Sequence, residues 1–566
     1  MKKLIILALA VGSLVLASCD DMLDKTPRDR FTNTPAFWSN ENQVTSYLNH
    51  LYEDYVGYGH GTALGWFYAK SLSDDQASMN FENWTYTSVP GTSSYWSNGF
   101  AEVRRCNYAI NGLAGSSLSS ATRAKYVGIA RLNRAYQYYQ LVREYGDVQW
   151  ENKVILDPAD PEVYGTRTDR DVVMDSVLAD LDYAIANIGN SSDKTQFSTD
   201  LALAMKSEVC LYEGTYCKYR TQAENGKAPD NARAQKYLEQ CVDASNKLMT
   251  SGTYSLTANY GDIYNSLDLN GNKEVIFYNH FVKDVLMHSL PTYITSSTTQ
   301  KGITRDAFEA FLFRDGKPLA TTSLDKNDVP TIDAKGNYNI NKLLAVRDKR
   351  LYVLIDSVAC FKGHGWSRPY RDNTFQLPEM TSSTGYTIRK YDNTTVDSHA
   401  RTEDGQCYTD APLYWLAEIY LNYAEAKAEL GTITQSDLDA TVNKLLARGD
   451  VPALTLNPAA DPANNMGVSN LIWEIRRCRR CELMTDNWIR YWDLVRWHQL
   501  DKIDTEKYPK VNLGAHVGAD AGVNVDADGY MVPVGRARTF QAKYYFFPVP
   551  NGQIDLNKQT TQNPGW

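Results

Sequence analysis

Five aromatic residues in one glycine-, serine- and threonine-rich stretch, Trp66, Trp84, Tyr86, Tyr95 and Trp96, have the types and spacing for recognition chemistry. A sugar ring has an apolar C–H face and a polar rim, so a flat indole or phenol buries the face while amides and carboxylates bond the hydroxyls. Asp74, Asp75, Asn80 and Asn83 lie between these rings and offer such groups. Tyr293, Trp366 and Tyr370 fall in a second loose region and form a candidate opposite wall. The candidate ligand-binding set is therefore Trp66, Asp74, Asn83, Trp84, Tyr86, Tyr95, Trp96, Tyr293, Trp366 and Tyr370. Trp415, Trp473, Trp492 and Trp497 sit on helical patterns and read as core.

The common catalytic constellations are missing from the chain. It has no His-Glu-x-x-His, no Gly-x-Ser-x-Gly elbow and no phosphate loop. Adjacent acids such as Asp74 and Asp75 reveal no defined carboxylate separation of the kind glycoside hydrolysis needs. No enzyme is expected, and no catalytic residue is assigned. Two acidic stretches, 524–529 and 268–274, resemble the start of a calcium loop, but neither completes the ligand pattern, so calcium stays a candidate cofactor only and the turns read as polar hairpins. Arg476, Arg477, Arg479 and Arg480 lie near Glu474, Glu482, Asp486 and Asp493 at helical spacing, which points to ion pairing between helices before it points to an anion site. Cys478 and Cys481 lack partners for a zinc site, and with Cys19 set aside the other cysteines are too sparse for a disulfide framework.

The elements that must position these side chains read as mostly helical. In 129–145 the residues Ile129, Leu132, Tyr136, Tyr139 and Val142 or Arg143 draw one buried stripe, with Gly146 as the stop. Further amphipathic helices are expected over 169–188 (Thr168 as N-cap, Gly189 beyond), 200–219, 231–249 and 410–431, the last with Asp410 as cap and Pro412 in its first turn. Helix pairs of tetratricopeptide type fit this order, although no thirty-four-residue repeat is visible. From 253 to 409 the pattern loosens into long loops, and 273–278, 385–391 and 544–549 read as short strands. Fold class is therefore mostly α: tetratricopeptide-like helix pairs against an irregular loop-rich region with a few short strands.

Lys2 and Lys3, the apolar run 4–16, and the closing Leu16-Ala17-Ser18-Cys19 match a bacterial lipobox, so residues 1–18 are expected to be a lipoprotein signal peptide and Cys19 the lipidated N-terminus. Residues 19–40 read as a tether, 41–252 as a helical part and 253–566 as a part carrying the loop-rich region, the two joined in one globular unit. The 67 acids against 58 Lys and Arg are spread without a basic stripe, which argues against nucleic acid as a partner.

Five ordered blocks resemble one family. They are Tyr126-Val127-Gly128-Ile129-Ala130-Arg131-Leu132-Asn133-Arg134-Ala135-Tyr136, running on into Leu141-Val142-Arg143-Glu144-Tyr145-Gly146-Asp147-Val148; Asn272-Lys273-Glu274-Val275-Ile276-Phe277; Tyr414-Trp415-Leu416-Ala417-Glu418-Ile419-Tyr420-Leu421-Asn422-Tyr423-Ala424-Glu425-Ala426; Tyr491-Trp492-Asp493-Leu494-Val495-Arg496-Trp497; and Gln562-Asn563-Pro564-Gly565-Trp566. Together they resemble the SusD/RagB family of Bacteroidetes outer-membrane lipoproteins. The resemblance implies four tetratricopeptide-like helix pairs under an irregular second half. It also implies capture of oligosaccharide at the cell surface and delivery to a SusC-like TonB-dependent transporter, without catalysis. Peptide capture, as in RagB-like members, and a helical-toroid glycoside hydrolase or lyase are the alternatives. Asp20, Asp21 and Asp24 resemble the family's surface-export signal. The chain departs from the family where Arg477-Cys478-Arg479-Arg480-Cys481-Glu482-Leu483 replaces a Glu-Arg-Arg-x-Glu-Leu block and Thr485-Asp486-Asn487 replaces a small-residue turn.

Overall fold

The computed structural model describes residues 33–295, 300–368, 377 and 379–566. The expected signal peptide, Cys19, the tether as far as residue 32, and Tyr370 lie outside the described residues. The folded part starts earlier than the expected boundary at 41. Trp38 is buried, its indole N–H donates to Asn33 Oδ1 (2.7 Å), and its carbonyl accepts from Ser116 Oγ (2.7 Å).

The scaffold is a chain of helices, each packed on the next. Its first half has α1 (Glu41–Asn49), α2 (Ser94–Ala114), α3 (Ser120–Tyr145), α4 (Arg170–Asn187), α5 (Thr199–Tyr219) and α6 (Asn231–Thr250). The second half adds α7 (Leu416–Glu429), α8 (Asn470–Glu482) and α9 (Ile489–Arg496). Contacts run α2 to α3, α3 to α4, and onward through α5, α6 and α7 to α8, the stacking of tetratricopeptide-like pairs. Ser119 caps α3 by accepting from Thr122 N–H, and Gly146 (φ +74°) ends it with its N–H on Val142 O (2.8 Å). The stripe Ile129, Leu132, Tyr136, Tyr139, Val142 is buried as its spacing predicts. Polar residues on the other side are buried too, because α2 and α4 cover α3 from both sides; Arg134 forks onto Asp180 of α4 (2.7 and 2.8 Å).

Several sequence expectations are corrected. Asp169, not Thr168, caps α4, since Thr168 pairs its backbone with Val148 and its hydroxyl accepts from Trp150 N–H. The 410–431 segment does not start as a helix. β4 (Ala411–Trp415) pairs antiparallel with β2 (Val275–Asn279), and only then does α7 begin. Asp410 caps no helix; its carboxylate accepts from Leu269 and Phe281 N–H (2.9 Å each) and so ties two loops to the strand. Stretch 385–391 makes isolated bridges rather than a ladder, and 544–549 has a 3-10 turn (Ala542–Tyr545) and no strand partner, because Phe547 N–H donates to the end of α3 at Glu144 O.

The four arginines of α8 are spent on carboxylates. Arg476 pairs with Glu429, Arg477 with Asp461, Arg479 with Asp493, and Arg480 with Asp75 and Asp306. The acids of the calcium-like stretches turn onto their own backbone: Asp526 Oδ1 accepts from Asp528 and Tyr530 N–H, and Asp268 Oδ1 from Asn270 N–H. All eight described cysteines are buried and free. Among the described residues no helix is long and apolar enough to cross a membrane.

Candidate ligand-binding face

Three loops far apart in sequence meet at Gly302. β1 (Gln76–Ala77) pairs antiparallel with β3 (Gly302–Ile303), Gly302 also bridges Thr387, and Gln300 bridges Ser382. A Cβ on Gly302 would lie 2.1 Å from Thr384 Oγ1 and 2.2 Å from Ser382 Oγ, so glycine is what lets the third loop close in. Met79 N–H donates to Ser383 Oγ (2.9 Å), and Thr304 bonds the backbone carbonyls of Asp74 and Asp75 (2.7 and 2.9 Å).

A polar strip runs across this junction. Lys301 Nζ donates to Ala69 O (2.8 Å) and Ser71 Oγ (2.6 Å) and sits 3.6 Å from Glu82, which itself accepts from Ser71. Burial pulls the Lys301 ammonium below its usual range, with Glu82 opposing that pull. Lys301 N–H donates to Tyr68 OH (3.1 Å), and that hydroxyl is 3.5 Å from the Tyr293 carbonyl. At the other end Lys70 Nζ donates to Tyr95 OH and lies 5.1 Å over the Tyr95 ring and 5.2 Å over that of Trp488. Lys70, Glu82, Tyr95, Tyr293 and Lys301 are all half-buried. Polar tips beside partly open rings are what a sugar rim and face require.

Of the expected rings, Tyr95 is half-buried at the start of α2, bonded to Lys70 and edge-on to Phe547 (5.6 Å); Tyr293 is half-buried on the short helix Leu290–Thr295, its carbonyl 3.5 Å from Tyr68 OH; and Trp366 is half-buried where its backbone bridges Met380. The other expected residues go elsewhere. Trp84 is buried: its ring stacks on Tyr544 (4.3 Å) and its indole N–H donates to Thr539 O (2.9 Å). Trp96 is buried edge-on against Tyr145 (4.9 Å). Tyr86 bonds Ser93 Oγ (2.9 Å) and meets Phe547 edge-on. Trp66 faces a separate interior cavity of about 40 Å³ beside Tyr212 and Glu418. Asn83 is exposed, its side-chain oxygen accepting from Trp84 N–H. Asp74 is a buried anchor: Arg490 forks onto it (2.7 Å twice), and against the effect of burial Arg480 and Arg490 bring its carboxyl down to about 2. Composition could not tell which rings the carboxyl-terminal segment 538–547 would cover. Lys70, Glu82 and Lys301 were missed; their signal is a charged residue within a few positions of a loop aromatic.

Glu144, at the end of α3 behind this face, is buried, and burial pushes its carboxyl up to about 8 against the pull of Arg143 and Lys70. A raised acid is neutral in the folded chain while the unfolded chain ionises, so stability falls as pH rises from the unfolded value of 4.5 to about 8. Glu144→Gln removes that loss. Its melting temperature should exceed the wild-type value by a margin that grows between pH 5 and 8; a margin independent of pH in calorimetric scans would refute the assignment.

Helix pairs stacked in series, with loops from distant parts of the chain pinned together at Gly302, are the architecture of the fold. The chain belongs to the SusD family: the family model described by that name matches residues 273–566, just over half of the chain. A second family model, described as starch-binding associating with outer membrane, matches residues 21–211. Among curated relatives, a SusD-like protein of Bacteroides ovatus is 25% identical over 291 residues, 48% of this chain and 48% of that protein. A SusD-like protein of Formosa agariphila, P2, is 27% identical over 162 residues, 27% of this chain and 31% of that one. The chain thus spans about half the length, or less, of the curated relatives it matches. A SusD-like carbohydrate binding protein from Bacteroides fragilis superposes with TM-score 0.70 at 21% identity, covering 93% of this chain and 99% of that one. A laminarin binding SusD-like protein superposes with TM-score 0.54 at 18% identity, covering 93% and 100%. At these identities the structural likenesses speak for the fold alone.

Proposed function

We propose that this chain is a cell-surface lipoprotein, anchored through Cys19, that captures oligosaccharides on the face containing Tyr95, Tyr293 and Trp366 and passes them uncleaved to a SusC-like TonB-dependent outer-membrane transporter. The observation that supports the reading is the junction at Gly302, where three loops far apart in sequence are pinned together, with Lys301 beside Glu82 and Lys70 over the Tyr95 ring. Rings on a pinned backbone lose little freedom on binding, which is how a modest site gains affinity without moving parts. The buried acids beside the junction are tied to cations, Asp74 to Arg490 and Asp75 to Arg480, and Glu82 lies 3.6 Å from Lys301, which supports a binding role for this region. Calorimetric titration of the purified protein with starch, laminarin and other neutral oligosaccharides, and with peptides, tests the ligand class. Saccharide binding without release of reducing ends is the expected result. Binding of peptides alone, or turnover of the bound glycan, would overturn the reading.

A further inference from the structure

An open cleft of about 610 Å³ lies against α8, with Asp74 in its lining. That is the size of a small-ligand site. One wall is a single face of α8, where Trp473, Arg476, Arg477 and Arg480 recur at helical spacing. A globular helix normally turns apolar residues to such a stripe. Trp473, expected in the core, is instead half-buried on this wall, its indole N–H on Asp461 (3.1 Å). The facing wall is the 502–511 segment. There Lys502 Nζ donates to Tyr508 OH (2.8 Å) and lies 4.7 Å over its ring, with Lys507 Nζ at 5.2 Å.

Seven Lys and Arg against four Asp and Glu line the cleft, although the whole chain carries a net charge of −9. The α8 arginines are neutralised by buried carboxylates and are not available. The lysines are. Among the described residues Lys507 forms an ion pair with Asp501 (2.8 Å) and Lys510 with Glu309 (2.6 Å), and their side chains are 58% and 44% exposed. Ion pairs whose ammonium is this open to water are weak, and Glu309 keeps Arg305 (2.7 Å) and Asp501 keeps Lys502 (3.9 Å), so the two ammonium groups can turn to a ligand anion without stranding either acid. Rings to take a sugar face, with ammonium groups beside them, suit one ligand chemistry. We propose that this cleft is a second saccharide site, selective for chains bearing carboxylate or sulfate groups. It goes beyond the capture reading and uses none of the residues of that face.

The test is titration of the purified full chain at low salt with oligogalacturonate and with chondroitin sulfate oligosaccharides, a neutral maltooligosaccharide serving as comparator. Wild-type protein should bind the anionic chains more tightly, and which of the two binds tells carboxylate from sulfate recognition. The double variant Lys507→Gln, Lys510→Gln should weaken anionic binding by roughly tenfold and flatten its salt dependence, leaving neutral binding and melting temperature unchanged. Trp473→Ala should weaken the same ligands, with circular dichroism confirming its fold. Trp366→Ala, on the capture face, should leave anionic binding intact, so failure of the capture reading is separable from failure here. No preference for anionic chains in the wild type, or equal affinity in the double variant, would overturn the proposal.

Discussion

Asp486→Ala is expected to lower stability by about 3–5 kcal/mol, the cost of stranding one buried charge by deleting its partner. Asp486 is wholly buried beside Lys390 (2.7 Å) and also accepts from Tyr264 OH and Tyr391 OH (2.8 Å each). The Lys390 ammonium is no less enclosed. It donates to Met484 O (2.8 Å) and lies 4.0 Å over the Tyr264 ring. Burial pulls both groups toward their neutral forms, Asp486 upward and Lys390 downward, so the intact pair has little net worth while either half alone is expensive. A second cost lies in the backbone. Thr485 (φ +68°), Asn487 (φ +43°) and Trp488 (φ +60°) are left-handed non-glycine residues, each worth about 1–3 kcal/mol of strain. The Asp486 network holds that turn, and the turn sets Trp488 under Lys70 at the edge of the capture face. Urea titration of the variant checks this. A loss below about 1 kcal/mol, the scale of exposed pairs such as Lys558 with Asp555, would show that the network is not what holds the turn. The double variant Asp486→Ala, Lys390→Met should recover part of the loss, because it strands no charge.

The same turn shows how far the sequence can be read. Where the family carries small residues, this chain carries Thr485, Asp486 and Asn487, and periodicity cannot reveal that three of four consecutive residues adopt left-handed backbone held by a carboxylate and a lysine 96 positions upstream. Helices were legible where one face is buried and the caps are local, as in α5, capped by Ser198, and α6, capped by Asp230. They were misread where a long-range partner decides the state. Pro412 and the apolar run after it suit a helix start until β2 arrives to pair with them. The loops themselves were legible by composition, since Gly, Ser and Thr around aromatics mark exposed backbone. Their individual rings were not, because covering is a tertiary event. Segment 538–547 closes over Trp84 and Tyr86, and nothing near residue 84 announces it.

That difference gives the second large effect. Trp366→Ala and Tyr293→Ala are each expected to weaken oligosaccharide binding by roughly tenfold or more, about 1.4 kcal/mol, with melting temperature nearly unchanged. Both residues are half-buried, Tyr293 on the short helix Leu290–Thr295 at the margin of the core and Trp366 on the third loop, and each has a backbone anchor independent of its side chain, Tyr293 through Tyr68 and Trp366 through Met380. Truncation should therefore remove ligand contact while those anchors stay in place. Trp84→Ala should do the reverse. Its indole stacks on Tyr544, tilts against Phe540 at 6.0 Å and anchors Thr539, so loss of the ring leaves a cavity and frees the segment that caps α3; about 3–5 kcal/mol of stability should go with it. Any fall in affinity for Trp84→Ala should then be restored at a temperature or osmolyte concentration where the variant is fully folded, whereas the Trp366→Ala deficit should persist there. Titration under both conditions, paired with thermal melts, separates a ring that touches ligand from one that supports the loop beside it. Matching behaviour of the three variants would mean that Trp366 and Tyr293 are structural as well, and the face would have to be sought on other loops.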